Sequence, residues 1–159
     1  MEKSLSHINA SGESQMVDVS NKQVSLRLAS ARAVVQFPAQ VMEQLKKDNW
    51  TVKKGAILEV ARIAGIQGAK MTPSLIPLCH PLMISGVEIE FLLEGNEMQV
   101  VSKVKCMGQT GVEMEALTAV STAALTVYDM CKALSHDTVI KEIQLLSKSG
   151  GKNDYKIKT

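Results

Sequence analysis

The sequence is poor in aromatic rings, which make up 3% of its 159 residues, and in net charge, which is +2 at neutral pH. Few rings leave few platforms for stacking bases, and so small a cationic excess lacks the electrostatic footprint of a nucleic-acid binder. No nucleic acid is therefore expected as a partner. Long apolar runs are also missing, because charged residues interrupt them every few positions, so no membrane association is expected. The opening Met1-Glu2-Lys3-Ser4-Leu5-Ser6-His7 lacks the apolar region of a signal peptide, which suggests a cytoplasmic protein. Cysteine is scarce as well. Cys79, Cys106 and Cys131 are odd in number and show no Cys-x-x-Cys spacing, which argues against a disulfide framework or a standard zinc knuckle and suits a reducing compartment.

What is present is an apolar fraction of 45%, enough for one core, so residues 1–159 are expected to form a single domain. Residues 1–16 are polar and small, without apolar periodicity, and read as a mobile arm. From Val24 to Phe37, alternation of Val24, Leu26 and Leu28 with polar neighbours predicts a strand that ends at Pro38. Val41, Met42 and Leu45 predict a short helix over 39–47, stopped by Asp48-Asn49. Ile57, Val60, Ala61, Ala64 and Gly68 recur at helical steps and predict a second helix over 57–70, closed before Thr72-Pro73.

Further on, Val87, Ile89, Phe91 and Leu93 alternate with polar residues, and Gly95-Asn96 follows as a two-residue hairpin loop. Folding about that loop pairs Leu93 with Met98, Phe91 with Val100, Val87 with Val104 and Glu88 with Lys103. A long helix is predicted from Val112 to Leu134, with Ala116, Val120, Ala123, Val127, Cys131 and Leu134 facing a sheet. A last strand over 138–147 leads into Lys148-Ser149-Gly150-Gly151-Lys152, so that 148–159 reads as a flexible cationic loop and tail. The element order describes an α+β fold, a ferredoxin-like antiparallel sheet with its helices packed on one face.

Four places could carry chemistry. Asp129 and Lys132 stand one helical turn apart, where a carboxylate and an ammonium can hold each other ionised or share a proton; an ordinary exposed ion pair is the competing reading. In Leu78-Cys79-His80-Pro81 an imidazole sits between Pro77 and Pro81, which fix its presentation and suit a general base or a phosphate ligand. No third ligand lies near Cys79 and His80, so no metal is expected there. Lys148 and Lys152 flank a Gly-Gly pair able to wrap a phosphate, although the segment is not a Walker A loop. Finally, Gln109-Thr110-Gly111-Val112-Glu113-Met114-Glu115 opens the long helix, whose free amides favour anions; Glu113 and Glu115 also suit that place simply as helix-start acids. Glu115 and Asp129 are fourteen residues apart, hence about 21 Å along the helix, too far for one small ligand within one chain.

Several longer runs are more specific than any of these spacings. They are His7-Ile8-Asn9, Met16-Val17-Asp18-Val19-Ser20, ARIAGIQGAK from Ala61, LIPLCHPL from Leu75, TGVEMEALTAVSTAALTVYDMCKA from Thr110 and KSGGK from Lys148. In this order and over nearly the whole chain, they resemble the molybdenum cofactor biosynthesis protein C (MoaC) family, the cyclic pyranopterin monophosphate synthases. The resemblance implies a lyase that rearranges (8S)-3′,8-cyclo-7,8-dihydro-GTP to cyclic pyranopterin monophosphate with release of pyrophosphate. It implies no redox cofactor and no metal, and a homohexamer built as a trimer of dimers with active sites at dimer interfaces.

Carried onto this sequence, the family's catalytic aspartate matches Asp129 and its nearby lysine Lys132, with Lys54 and His80 completing the proton-transfer set. The substrate-contacting segments match Leu78, Cys79 and His80, and Met114 with Glu115, while Arg27 and Lys148 match basic positions suited to phosphates. Two departures stand out: Ser30 where the family often has a second basic residue, and Asn153-Asp154 after Lys152 where Ser-Gly-Asp is common.

Overall fold

The computed structural model describes residues 8, 9 and 11–158. Half of the expected N-terminal arm, residues 1–7 and 10, with His7 among them, therefore lies outside the described residues. Within the rest of the arm, Ile8 bridges to Ser14, and the Asn9 side-chain oxygen accepts the backbone N–H groups of Ser11 and Glu13 at 3.0 and 2.8 Å.

Strand β1 (Ser25–Gln36) is followed by α1 (Ala39–Lys47), the small hairpin β2 (Thr51–Val52) and β3 (Gly55–Ala56), and α2 (Ile57–Leu75). Then come the long hairpin β4 (Ile84–Glu94) and β5 (Glu97–Gly108), α3 (Glu113–Cys131), β6 (Val139–Ser149) and the short β7 (Tyr155–Lys156). The main sheet runs β4-β5-β1-β6-β7 with every pairing antiparallel. Leaving aside the edge strand β7, this is the strand order of the split βαβ, ferredoxin-like arrangement, as the sequence predicts.

Side-chain alternation decides which face meets the helices. On β1, Ala29, Ala31, Ala33 and Val35 are buried, as are Met98, Val100, Ser102, Val104 and Cys106 on β5. The run of alanines leaves room for α3, which answers with Ala116, Ala119, Val120, Ala123 and Val127, all fully buried. Ser102, with no exposure, donates its hydroxyl to the Ala116 carbonyl at 2.8 Å and ties β5 to the first turns of α3. Beside α3, on the same face of the sheet, α2 approaches through glycine: a Cβ on Gly68 would stand 2.5 Å from the Thr122 hydroxyl oxygen. The placement of α3, and hence of both its ends, follows from these small residues on two sides.

The hairpin register matches the expected pairs, including Leu93 with Met98 and Glu88 with Lys103. Three boundaries differ. Helix α2 runs past Pro73 to Leu75, because Thr72 is fully buried and its hydroxyl donates to the Gly68 carbonyl; a proline in the last turn removes one helical hydrogen bond only. Helix α3 stops at Cys131, so Leu134 lies beyond it and is 44% exposed instead of facing the sheet. The expected cationic loop is shorter than 148–152: Lys148 and Ser149 belong to β6, and the chain turns back at Gly150 to pair Tyr155 with Lys148.

Candidate active site

Helix α3 is the spine of the candidate site, and chemistry gathers at both its ends. At the C-terminal end Asp129 receives two ammonium groups: Lys132 Nζ lies 2.7 Å from Oδ1 and Lys54 Nζ 2.9 Å from Oδ2. Lys54 reaches over from the turn of the β2–β3 hairpin, which Gly55 closes at φ 120°, a left-handed value that suits glycine. This hairpin had no signal in the sequence beyond a Lys-Lys-Gly turn. Two positive neighbours, Lys132 first and Lys54 second, hold the Asp129 carboxyl at about 2, and Asp129 in turn raises Lys132. All three side chains are about half exposed, so the cluster is ionised and open to solvent.

At the N-terminal end a cavity of about 390 Å³ is lined by Leu78, Cys79, His80, Met114, Glu115, Glu113 and Lys22, among others. The two prolines hold 77–81 as a loop against α3, and the imidazole of His80 donates from Nε2 to the Val17 carbonyl at 2.8 Å. Since a carbonyl only accepts, this bond leaves Nδ1 as the acceptor in the neutral ring. Glu115 is 3% exposed, and burial is the main cause that pushes its carboxyl up, with a bond to its own backbone N–H opposing and Glu113 adding to the rise. Cys79 is raised by burial and by Glu115, which disfavours a thiolate there.

A second cavity, of about 290 Å³, continues from the first through Lys22, Thr110, Gly111 and Glu113 and adds Arg27, Lys148, Gly151 and Lys152. The Arg27 guanidinium is held by the carbonyls of Gly108 and Gln109, both at 3.1 Å, which fixes its plane. Gly150 has φ 82°, and a Cβ there would run into the Leu26 carbonyl. Its N–H donates to Asp154 at 3.1 Å and its carbonyl accepts from Ser25 at 2.7 Å, so the Asn153-Asp154 departure closes the turn. Ser30, the other departure, donates to the Ser102 carbonyl.

One chain thus brings together Leu78, Cys79, His80, Met114, Glu115, Arg27 and Lys148 around the start of α3, and Asp129, Lys132 and Lys54 around its end. His80, expected beside Asp129, stands instead with Glu115. Lys22 and Gln109 join the site without a sequence signal for this role: the Gln109 side-chain amide donates to the carbonyls of Lys22 and Ser20 at 3.0 and 3.4 Å and straps 17–22 over the cavity. A lone lysine in a polar stretch gives no periodic signal.

A ferredoxin-like sheet with a cavity lined by cations at one end of its main helix and a Lys–Asp–Lys cluster at the other defines a small α+β protein with the charges to receive an anion. Comparison with known proteins narrows this: the MoaC family model matches residues 16–151, and the chain belongs to that family. It is 50% identical over 151 residues, 94% of each chain, to "Cyclic pyranopterin monophosphate synthase" of Thermoanaerobacter sp. (strain X514), and the protein of that name from Thermoanaerobacter pseudethanolicus matches equally. "Molybdenum cofactor biosynthesis protein 1" of Drosophila melanogaster is 56% identical over 153 residues, which is 95% of this chain but 27% of that much longer protein.

Proposed function

We propose that this chain is a cyclic pyranopterin monophosphate synthase, converting (8S)-3′,8-cyclo-7,8-dihydro-GTP to cyclic pyranopterin monophosphate and pyrophosphate. The observation that carries the reading is the split of the site: an ionised acid–base cluster at one end of α3 and a cavity with four cations, Lys22, Arg27, Lys148 and Lys152, at the other. Ring opening and reclosure need a proton donor and acceptor, and a triphosphate needs several cations and backbone amides.

The two ends serve one substrate if they come from different subunits. Asp129, Lys132 and Lys54 of one copy then complete the cavity of Glu115 and His80 in another, within a homohexamer arranged as a trimer of dimers, in the cytoplasm. Covering the exposed cluster removes water from it, which strengthens its charge–charge contacts and places its ammonium groups against the substrate for proton transfer. Arg27 and Lys148 hold phosphate, while Leu78, Cys79 and Met114 shape the ring pocket. The test is a product assay: purified protein with the cyclised triphosphate yields pyrophosphate and the cyclic monophosphate in equal amounts. Binding without either product would overturn the reading.

A further inference from the structure

The cationic cavity at the start of α3 already holds an anion of its own. Glu113 Oε1 lies 2.7 Å from Lys148 Nζ, and the carboxylate rests directly on the backbone of Gly111, so closely that a Cβ on Gly111 would overlap its Oε2 and Cδ. Among the described residues Glu113 is the one acid lining that cavity, against Lys22, Arg27, Lys148 and Lys152. Lys148 has no other carboxylate partner among the described residues. Both side chains keep part of their exposure, 37% for Lys148 and 26% for Glu113, so the pair is weak enough to be exchanged for a stronger one. The place is also where free amides of the helix start favour negative charge.

We propose that Glu113 is a tethered stand-in for a phosphate group: its carboxylate holds Lys148 and fills the cationic end of the cavity until a phosphate of the ligand displaces it. The inference rests on the reading of this cavity as the triphosphate subsite. A doubly charged phosphate wins Lys148 from a singly charged carboxylate, whereas a neutral or singly charged ligand does not. Glu113 then acts as a specificity-determining residue that sets a threshold of ligand charge. Its return to Lys148 favours departure of the pyrophosphate product. Gly111 supplies the berth, since any side chain there evicts the carboxylate.

The test is calorimetric titration of inorganic pyrophosphate into the parent, Glu113→Gln, Gly111→Ala and the double variant Glu113→Gln/Lys148→Met. Removing the competing carboxylate, or evicting it with alanine at 111, is expected to tighten pyrophosphate binding about two- to five-fold, and the gain is expected to vanish in the double variant. Unchanged or weaker binding in both single variants overturns the proposal. In the unmutated protein the Glu113 side-chain carboxyl ¹³C resonance is expected to shift as pyrophosphate is added; a resonance that stays put during saturation also overturns it, whether or not the variants fold. The product assay stands apart: a parent that binds pyrophosphate through an exchanging Glu113 but makes no product sinks the synthase reading alone.

Discussion

Asp129 and Glu115 lie on the same helix, fourteen residues apart, and their environments push their carboxyl groups in opposite directions. Asp129, flanked by Lys132 and Lys54 in the open, is held at about 2, while Glu115, buried among Cys79, Met114 and the strap over the cavity, is raised. Carboxyl groups driven apart in this way divide labour in acid–base chemistry, one the readier anion and the other the readier proton holder. Four helical turns separate them, about 21 Å, so that division works on one substrate only across two chains.

The first expectation concerns the Lys–Asp–Lys cluster. Asp129→Asn is expected to fold with an unchanged melting temperature, because the group is exposed and its pairs are screened. Product formation is expected to fall by roughly two or more orders of magnitude, the usual loss for a proton-transfer group. A ¹³C titration of the parent should place Asp129 near about 2, and Lys132→Ala should move it upward more than Lys54→Ala does. Because the folded value is lowered, whatever stability the pairs contribute is present above the ordinary carboxylate range and is lost as pH falls through about 2. Parental turnover in Asp129→Asn would refute the assignment.

Glu115 carries the opposite sign. A carboxyl whose folded pKa is raised leaves stability intact below its unfolded value, and that stability declines as pH rises through the raised one. Glu115→Gln removes the ionisation, so the variant should match the parent in thermal melts at pH 4 and melt higher than it at pH 8, while making less product. A parent whose melting temperature relative to the variant does not change across that range would show that Glu115 ionises freely.

These two carboxyl groups also show how much was legible in advance. The β4–β5 register could be read from residues because period-two alternation on both arms meets at Gly95-Asn96, and a slip of one position would turn Phe91 and Val100 outward. The stop of α2 is not legible locally, because the penalty for a helical residue before Pro73 is overridden by the burial of Thr72, a tertiary effect. The Asp129–Lys132 pair is visible as a spacing, yet its third member is not: Lys54 arrives from a two-residue hairpin 75 positions away. His80 and Lys22 come to line one cavity because the strap 17–22 closes over it, with His80 bonded to the Val17 carbonyl, a long-range closure that no periodicity announces.

The approach of α2 to α3 yields a prediction about stability. In an open helix Gly68→Ala would gain about 1 kcal/mol of propensity. Here the added methyl meets the Thr122 Cβ at 2.8 Å and its hydroxyl at 2.5 Å, and that hydroxyl is bound to the Thr118 carbonyl. Overpacking of this kind costs about 1–3 kcal/mol, so the variant is expected to be less stable by up to about 2 kcal/mol in urea unfolding. A more stable variant would mean that the two helices separate easily.

The composite site makes a prediction that neither end of α3 can make alone. Asp129→Asn and Glu115→Ala are each expected to be inactive. If one site takes Asp129 from one subunit and Glu115 from its two-fold partner, a mixed dimer carries one doubly damaged site and one intact site. With random exchange of equal amounts, half the dimers are mixed, so about a quarter of all sites regain the parental set. Product formation should therefore recover toward about a quarter of the parental rate after exchange by mild denaturation and refolding. If both residues served a site within one chain, every site in every mixture would keep one defect, and no recovery would follow however completely the subunits exchanged. Subunit exchange confirmed by mass spectrometry without recovered activity would therefore decide against a shared site.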